Sequence, residues 1–115
     1  MEGPPECYSY LGGGSVEQVK AGFVRGDALL KFTAKWCGPC QAVHPRFLEM
    51  ARSSLVPCYH VDIEEDEHEL ALSFAVTKLP TFLRLKDGKE VARVVGANLE
   101  SVADLLSPSE VLTSY

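Results

Sequence analysis

The sequence has no long apolar run, no basic cluster and no cysteine-rich pattern, and each absence narrows what the chain can be. No segment approaches the roughly 18 apolar residues of a membrane-spanning helix, and the opening stretch MEGPPECYSY has neither the basic end nor the apolar segment of a signal peptide. Only 11 lysines and arginines, dispersed along the chain, accompany 16 acidic residues. We therefore expect no membrane and no nucleic-acid partner, and a reducing, cytoplasmic setting.

The four cysteines are not needed to hold a chain of 115 residues together. A chain of this length buries about 60 to 70% of its unfolded surface, which is enough for a core without disulfides. The composition is that of an ordinary globular protein, with 46% hydrophobic and 23% charged residues. Because there is no internal repeat or linker, we expect a single domain over residues 1–115, and the cysteines are available for redox chemistry or metal binding.

Hydrophobic periodicity predicts an alternation of strands and helices. Strands are expected at residues 7–11, 28–34, 56–63, 80–85 and 90–95. Helices are expected to follow Ser15, to begin at the cysteine motif, and to follow Asp66 and Asn98. The nearly continuous apolar run at 28–34 is typical of a parallel strand covered on both faces, and Asp87-Gly88 is a strong hairpin signal. The expected fold class is α/β, with a central mixed sheet of four to five strands flanked by about four helices.

The motif FTAKWCGPCQAVHP, residues 32–45, places two cysteines at the expected start of a helix. Unpaired backbone N–H groups and the helix dipole stabilise an anion there, so Cys37 is expected to ionise more readily than an ordinary thiol, whose pKa is about 8.5. Cys40 would lie within reach of the Cys37 sulfur and could resolve a mixed disulfide. Pro39 suits a helix start, and Trp36 offers a flat apolar wall beside Cys37.

Two other interpretations of the C-x-x-C spacing remain open at this point. A structural zinc site usually needs a second C-x-x-C or a spaced histidine pair. The remaining cysteines and histidines show no such spacing: Cys7, Cys58, His44, His60 and His68. We therefore expect no metal site. The spacing alone would also fit two inert thiols one helical turn apart.

Four features together carry a resemblance to a known family. WCGPC after an apolar strand, Pro45 five residues beyond the second cysteine, LPTF from Leu79 and VVGAN ending at Asn98 together resemble the thioredoxin family over nearly the whole chain. WCGPC is similar to the general disulfide-reducing thioredoxins rather than to the CGHC of disulfide isomerases or the WCPPC of tryparedoxins. The resemblance implies the thioredoxin fold and a protein-disulfide reductase that cycles Cys37 and Cys40 between dithiol and disulfide.

The resemblance also implies supporting residues, an electron source and partners. The Leu79-Pro80 peptide bond is expected to be cis and to face the cysteine pair. Supporting or substrate-binding roles are implied for Trp36, Gly38, Pro39, Leu79, Pro80 and Gly96. No cofactor would be bound; electrons would come indirectly from NADPH through a thioredoxin reductase and pass to disulfide-containing targets such as peroxidases or reductases. A monomer is expected.

Lys31 and His60 depart from the family pattern. Thioredoxins commonly carry a buried aspartate six residues before the first cysteine, where this chain has Lys31, and a nearby lysine where it has His60. A charged Lys31 near Cys40 would favour the thiolate, whereas a neutral Lys31 could accept a proton. A third alternative is a stem packed in the sheet with its head reaching Glu64 or solvent. We predict that Lys31, with His60 nearby, tunes the pKa of Cys40.

Two alternatives to a general reductase keep the same fold. A binding or scaffold module could use the groove around Trp36, Pro80 and Gly96 for partners, although the presence of both cysteines argues against it. An enzyme specialised for one partner would use Lys31 and His60 to depart from general reductase work. Reduction of insulin that depends on Cys37 would separate a general reductase from both alternatives.

Overall fold

Five strands form one mixed sheet in the computed structural model, which describes residues 7–9 and 26–106. The strands are β1 (Cys7–Ser9), β2 (Asp27–Thr33), β3 (Cys58–Asp62), β4 (Thr81–Lys86) and β5 (Lys89–Val95). Their order across the sheet is β1-β3-β2-β4-β5. β2 and β3 run parallel, whereas the other neighbouring strands are antiparallel. The five-stranded mixed sheet confirms the predicted one.

Three helices are assigned within the described residues: α1 (Gly38–Ser53), α2 (Glu69–Ser73) and α3 (Leu99–Leu105). The helix expected after Ser15 lies outside the described residues and stays a prediction. In α1, Val43, Phe47 and Ala51 recur at helical spacing and are buried. Pro45 lies inside α1.

Side-chain alternation along β2 divides the core between the two faces of the sheet. Leu30 belongs to one buried cluster, together with Leu70 of α2. Leu29 belongs to the other, together with Phe47 of α1 and Val102 of α3. Each fully buried side chain of this size contributes about 1.5 to 3 kcal/mol to folding. Both faces of β2 are therefore covered, as its continuous apolar run predicted.

The start of α2 differs from the prediction. A helix was expected to follow Asp66, but Glu67 and His68 adopt left-handed backbone conformations with φ of 53° and 63°, so α2 begins at Glu69. The carboxylate of Asp66 still accepts a hydrogen bond from the backbone N–H of Leu70 at 2.8 Å. The capping side chain was therefore identified correctly, whereas the first helical residue was wrong.

The hairpin and the last helix follow their local signals. Asp87 and Gly88 both have positive φ, 50° and 83°, which is the conformation that lets a two-residue turn join antiparallel strands. The side-chain oxygen of Asn98 accepts the backbone N–H of Ser101 at 3.2 Å, so Asn98 caps α3 as predicted. These two signals fix the bounds of β4, β5 and α3 to within a residue or two of the expected ones.

Candidate active site

Cys37 and Cys40 lie at the start of α1 and are joined as a disulfide, with their Cα atoms 5.3 Å apart. Cys37 is the N-cap residue, and its sulfur accepts a hydrogen bond from the backbone N–H of Cys40 at 3.3 Å. Cys37 keeps 6% of its surface exposed, whereas Cys40 is fully buried. The pair therefore has an outer and an inner sulfur, and the outer one lies against the amide groups of the helix start.

The first turn of α1 favours a thiolate at Cys37. The N–H groups of a first turn have no partners within the helix and carry the positive end of the helix dipole, and this turn contains no acidic side chain. Gly38 and Pro39 occupy its exposed side, and proline leaves no N–H unpaired there. Chemically, this geometry allows Cys37 to attack a disulfide and Cys40 to close on Cys37.

An open groove of about 480 Å³ borders Cys37. Its mostly apolar lining includes Trp36, Ile63, His68, Val76 and Leu79. Trp36 is 65% exposed, so a large apolar ring faces whatever enters the groove. Trp36 and Leu79 were expected at the site from the sequence, whereas His68 was not, because its position depends on the turn that precedes α2.

The peptide bond between Leu79 and Pro80 is cis, as expected. The carbonyl oxygen of Pro80 accepts the backbone N–H of Gly96 at 2.8 Å, and Gly96 has a φ of 104°, which favours glycine. Leu79 and Cys37 line the same groove. Gly96 is therefore linked to the site by its hydrogen bond to the backbone of Pro80. The supporting roles of Leu79, Pro80 and Gly96 stay predictions.

Three basic side chains cluster on the face of the sheet that α1 covers. Lys31 is fully buried, and its Nζ lies 2.7 Å from Nδ1 of His44 and 5.4 Å from the centre of the Phe47 ring. His60 lies opposite Lys31 in the β2–β3 pair, and the rings of His44 and His60 meet edge to face with centroids 5.5 Å apart. The alternative in which the Lys31 head reaches Glu64 or solvent is therefore wrong.

Burial sets the protonation of this cluster. Burial lowers the pKa of Lys31 from 10.5 to about 8, because the ammonium loses its hydration. Burial, and then the electrostatic effects of Lys31 and His44, lower the pKa of His60 to about 3. The pKa of His44 is lowered as well, by burial first and by Lys31 second. At neutral pH the cluster consequently has Lys31 as its main carrier of positive charge.

His44 is the residue of this cluster that sequence reasoning missed as a partner of Lys31. A signal was present, because His44 follows Cys40 by four residues, the spacing that puts two side chains on one face of a helix. The spacing could not predict the contact between His44 of α1 and Lys31 of β2. The roles predicted for Lys31 and His60 stay predictions, although the structure brings both of them to the same cluster.

Residues 7–9 and 26–106 contain no group of three or more histidine, cysteine or carboxylate side chains that could hold a metal ion. In the same part of the chain, no helix has the length and apolar character that crossing a membrane requires. Cys58 has a free thiol that is buried in β3, and burial raises its pKa to about 12.

Comparison with known proteins places this site in a family. Residues 16–107 match the family model described as Thioredoxin. Thioredoxin H2-2 of Oryza sativa subsp. japonica is 40% identical over 75 residues, which are 64% of this chain and 55% of that protein. Thioredoxin Asp f 29 of Aspergillus fumigatus is 38% identical over 85 residues, 71% of this chain and 74% of that protein. The crystal structure of Schistosoma mansoni thioredoxin matches with a TM-score of 0.70 and 29% identity, covering 79% of this chain and 83% of that one.

A mixed sheet with a disulfide-forming C-x-x-C at the start of its first described helix defines a thioredoxin-fold protein. With the family match over residues 16–107, the chain belongs to the thioredoxin family. The resemblance in the sequence and the thioredoxin fold are thereby confirmed. The chain spans about half the length of the first curated relatives it matches.

Proposed function

We propose that the chain is a thiol-disulfide oxidoreductase that reduces protein disulfides by cycling Cys37 and Cys40 between dithiol and disulfide. The observation that carries the proposal is the placement of the pair: Cys37 caps α1 and lines the groove, while Cys40 is buried behind it and bonded to it. Membership of the thioredoxin family supports the same chemistry.

The reaction transfers two electrons from the dithiol to the target. The thiolate of Cys37 attacks one sulfur of the target disulfide, and the other target sulfur leaves with the bonding electron pair and takes a proton from water. Cys40 then loses its proton to water and attacks the Cys37 sulfur. The second target sulfur leaves with its electron pair and is protonated, so the target gains two thiols and the Cys37–Cys40 disulfide forms.

The groove is proposed as the docking site for the target strand. The exposed ring of Trp36 supplies apolar contact on one side, and Leu79 lies on the other. The carbonyl of Pro80 already accepts the N–H of Gly96, which leaves the backbone of Leu79 for pairing with an extended target segment. Gly38 and Pro39 would keep the approach to Cys37 open, because both lie on the exposed side of the first turn.

Family membership supports a proposal for the partners. Electrons would come from NADPH through a thioredoxin reductase, with no cofactor bound to this chain, and would pass to target proteins such as peroxidases or reductases. We propose a monomer acting in the cytoplasm as one domain over residues 1–115. Reductase-coupled activity, size in solution and location in the cell each test one of these statements.

Insulin reduction tests the proposed function. With dithiothreitol as electron source, the wild-type chain should accelerate precipitation of the insulin B chain well above the dithiothreitol blank, and Cys37→Ser should fall to the blank. A second arm with NADPH and a thioredoxin reductase tests the electron source. Wild-type activity no higher than that of Cys37→Ser in the dithiothreitol arm would overturn the proposal.

A redox protein specialised for one partner is the second candidate, and the Lys31–His44 contact favours it. Lys31 stands where general thioredoxins commonly carry a buried acid, and its Nζ contacts His44. The same assay separates the two candidates: a specialised protein would reduce its own target but insulin only slowly, and changing Lys31 to Asp should then raise insulin reduction. A scaffold module would instead bind its partner equally well without either cysteine.

A further inference from the structure

We propose that His44 is a positioning residue for the resolving step, holding the ammonium of Lys31 beside the first turn of α1, where it stabilises the thiolate of Cys40. The proposal rests on the proposed dithiol cycle and deepens it. It assigns a role to a histidine that the sequence motifs do not mark.

The positions of three residues on α1 carry the inference. Cys40, His44 and Phe47 follow one another at spacings of four and three residues, so they share one face of the helix, with about 5 to 6 Å between successive Cβ atoms. The Lys31 head contacts the second and third of these residues, at 2.7 Å from His44 Nδ1 and over the ring of Phe47. The ammonium is therefore held along the helix face that Cys40 begins.

The hydrogen bond between Lys31 and His44 fixes the charge of the pair. A charged lysine can only donate, so the acceptor is the unprotonated Nδ1 of a neutral His44 whose proton is on Nε2. A second proton would place two positive charges 2.7 Å apart in a buried site, which burial and repulsion both oppose. The pair thus carries one positive charge, in keeping with the lowered pKa of His44.

The other charged groups on this face are occupied elsewhere. Arg84 of β4 pairs with Asp27 at 3.1 Å, and the carboxylate of Asp62 accepts the backbone N–H groups of Glu64 and Glu65. The titratable and charged groups that face the pair from the neighbouring strands are Asp27, Cys58, His60, Asp62 and Arg84. Cys40 is a buried residue of α1, four positions before His44. Among residues 7–9 and 26–106, the Lys31 head has a hydrogen bond with His44 and a ring contact with Phe47, and neither partner is a carboxylate. The Lys31 ammonium is therefore available to stabilise a thiolate at Cys40.

The contribution falls on the second half of the cycle. Cys40 must lose its proton to water before its sulfur can form the bond to Cys37 and displace the target sulfur with its electron pair. A positive charge nearby favours the Cys40 thiolate and so raises the fraction ready to attack. Without His44, the flexible lysine stem could turn its head away, and this support would weaken.

Rapid mixing with 5,5′-dithiobis(2-nitrobenzoate) resolves the two steps. Attack by Cys37 releases a first thionitrobenzoate, and formation of the Cys37–Cys40 disulfide releases a second. Every variant also carries Cys7→Ser, so that Cys37 and Cys40 are the reactive thiols, since Cys58 is buried. His44→Leu should leave the first phase within about twofold, slow the second about tenfold at pH 7 and raise its pH midpoint by about one unit. His44→Asn keeps an acceptor near the Nδ1 position and should restore most of the rate, whereas His44→Gln should not.

A double-mutant cycle tests whether His44 acts through Lys31. In a Lys31→Met background, His44→Leu should slow the second phase no further, because the charge it positions is gone. Additive slowing in the double variant, or second-phase pH profiles that coincide in wild type, His44→Gln and His44→Leu, would overturn the proposal. Loss of the first phase in wild type would instead contradict the proposed function, so the two failures are distinguishable.

Discussion

Lys31 and His60 lie directly opposite each other on the parallel strands β2 and β3, so two basic side chains share one buried face of the sheet. Burial lowers the pKa of Lys31 to about 8 and contributes most to lowering the pKa of His60 to about 3. Both groups bind protons more weakly in the folded chain than in the unfolded chain. The stability of the protein should therefore rise with pH in two separate windows.

Replacing Lys31 by methionine should stabilise the protein at neutral pH. The unfolded chain holds the lysine proton up to a pH of about 10.5, whereas the folded chain loses it near 8, so the burial penalty is full below pH 8 and vanishes as the pH rises to 10.5. The shift corresponds to about 3 kcal/mol, and loss of the His44 hydrogen bond offsets about 1 kcal/mol of it. Lys31→Met should therefore raise the free energy of unfolding by about 2 kcal/mol at pH 7.

Urea unfolding at pH 7, 8.5 and 10 measures this effect, with the exposed Lys86→Met as the matched control. The gain from Lys31→Met should shrink toward pH 10, and the control should change little at any pH. A destabilised Lys31→Met, or a gain that is the same at all three pH values, would show that the buried charge does not govern stability at this position.

His60 should make the protein sensitive to mild acid. The unfolded chain protonates this histidine near pH 6.5, but the folded chain resists until about pH 3, so folding loses stability as the pH falls through that window. Between pH 7 and 5 the loss from this residue is about 2 kcal/mol. His60→Gln should flatten the acid side of the stability curve, and His68→Gln, at an exposed histidine, should not. Equal slopes in wild type and His60→Gln would refute the assignment.

The thiol of Cys58 should be unreactive in the folded chain. It is fully buried in β3, donates a hydrogen bond to the carbonyl of Val56, and has a pKa raised to about 12, so little thiolate forms near neutral pH. Iodoacetamide at pH 8 should modify the reduced Cys37 within minutes and Cys58 only after urea is added. Peptide mass spectrometry reads both sites, and fast labelling of Cys58 without urea would contradict its placement.

Trp36 should matter for protein targets more than for small disulfides. Its ring is 65% exposed beside the groove, so Trp36→Ala should cost little stability but lower kcat/KM for insulin about tenfold through lost apolar contact. The rate with a small aromatic disulfide should fall less. Leu55→Ala removes another exposed apolar side chain, 88% exposed and outside the groove lining, and serves as the control. Equal effects of the two variants on insulin reduction would remove Trp36 from the docking surface.

Local signals were sufficient for most of the fold. The apolar run that became β2, the Asp87-Gly88 turn and the Asn98 cap each depend on a few neighbouring residues, and the structure places them within a residue or two of their predicted bounds. The start of α2 was missed because the backbones of Glu67 and His68 adopt left-handed conformations, which residues other than glycine rarely adopt. The residue types at these two positions therefore did not indicate the turn.

The candidate site divides in the same way. Cys37 and Cys40 were assigned as a redox pair through the resemblance to the thioredoxin family, since their spacing alone also fitted a metal site or two inert thiols; the structure places both at one helix start. The partner of Lys31 could not be identified in advance, since its contact with His44 joins a strand and a helix whose relative placement depends on packing. A residue that acts through another one leaves little trace in a single sequence.

Trapping the mixed disulfide separates the roles of the two active-site cysteines. Oxidised insulin is mixed with Cys40→Ser and, in parallel, with Cys37→Ser, both in the Cys7→Ser background, and the products are resolved by mass spectrometry without reductant. Cys40→Ser should accumulate a covalent adduct with an insulin chain through Cys37, because no inner thiol can resolve it, and Cys37→Ser should form almost none, since Cys40 is fully buried. An adduct that forms equally fast through Cys40 in the Cys37→Ser protein would contradict the assignment of Cys37 as the attacking residue and Cys40 as the resolving one.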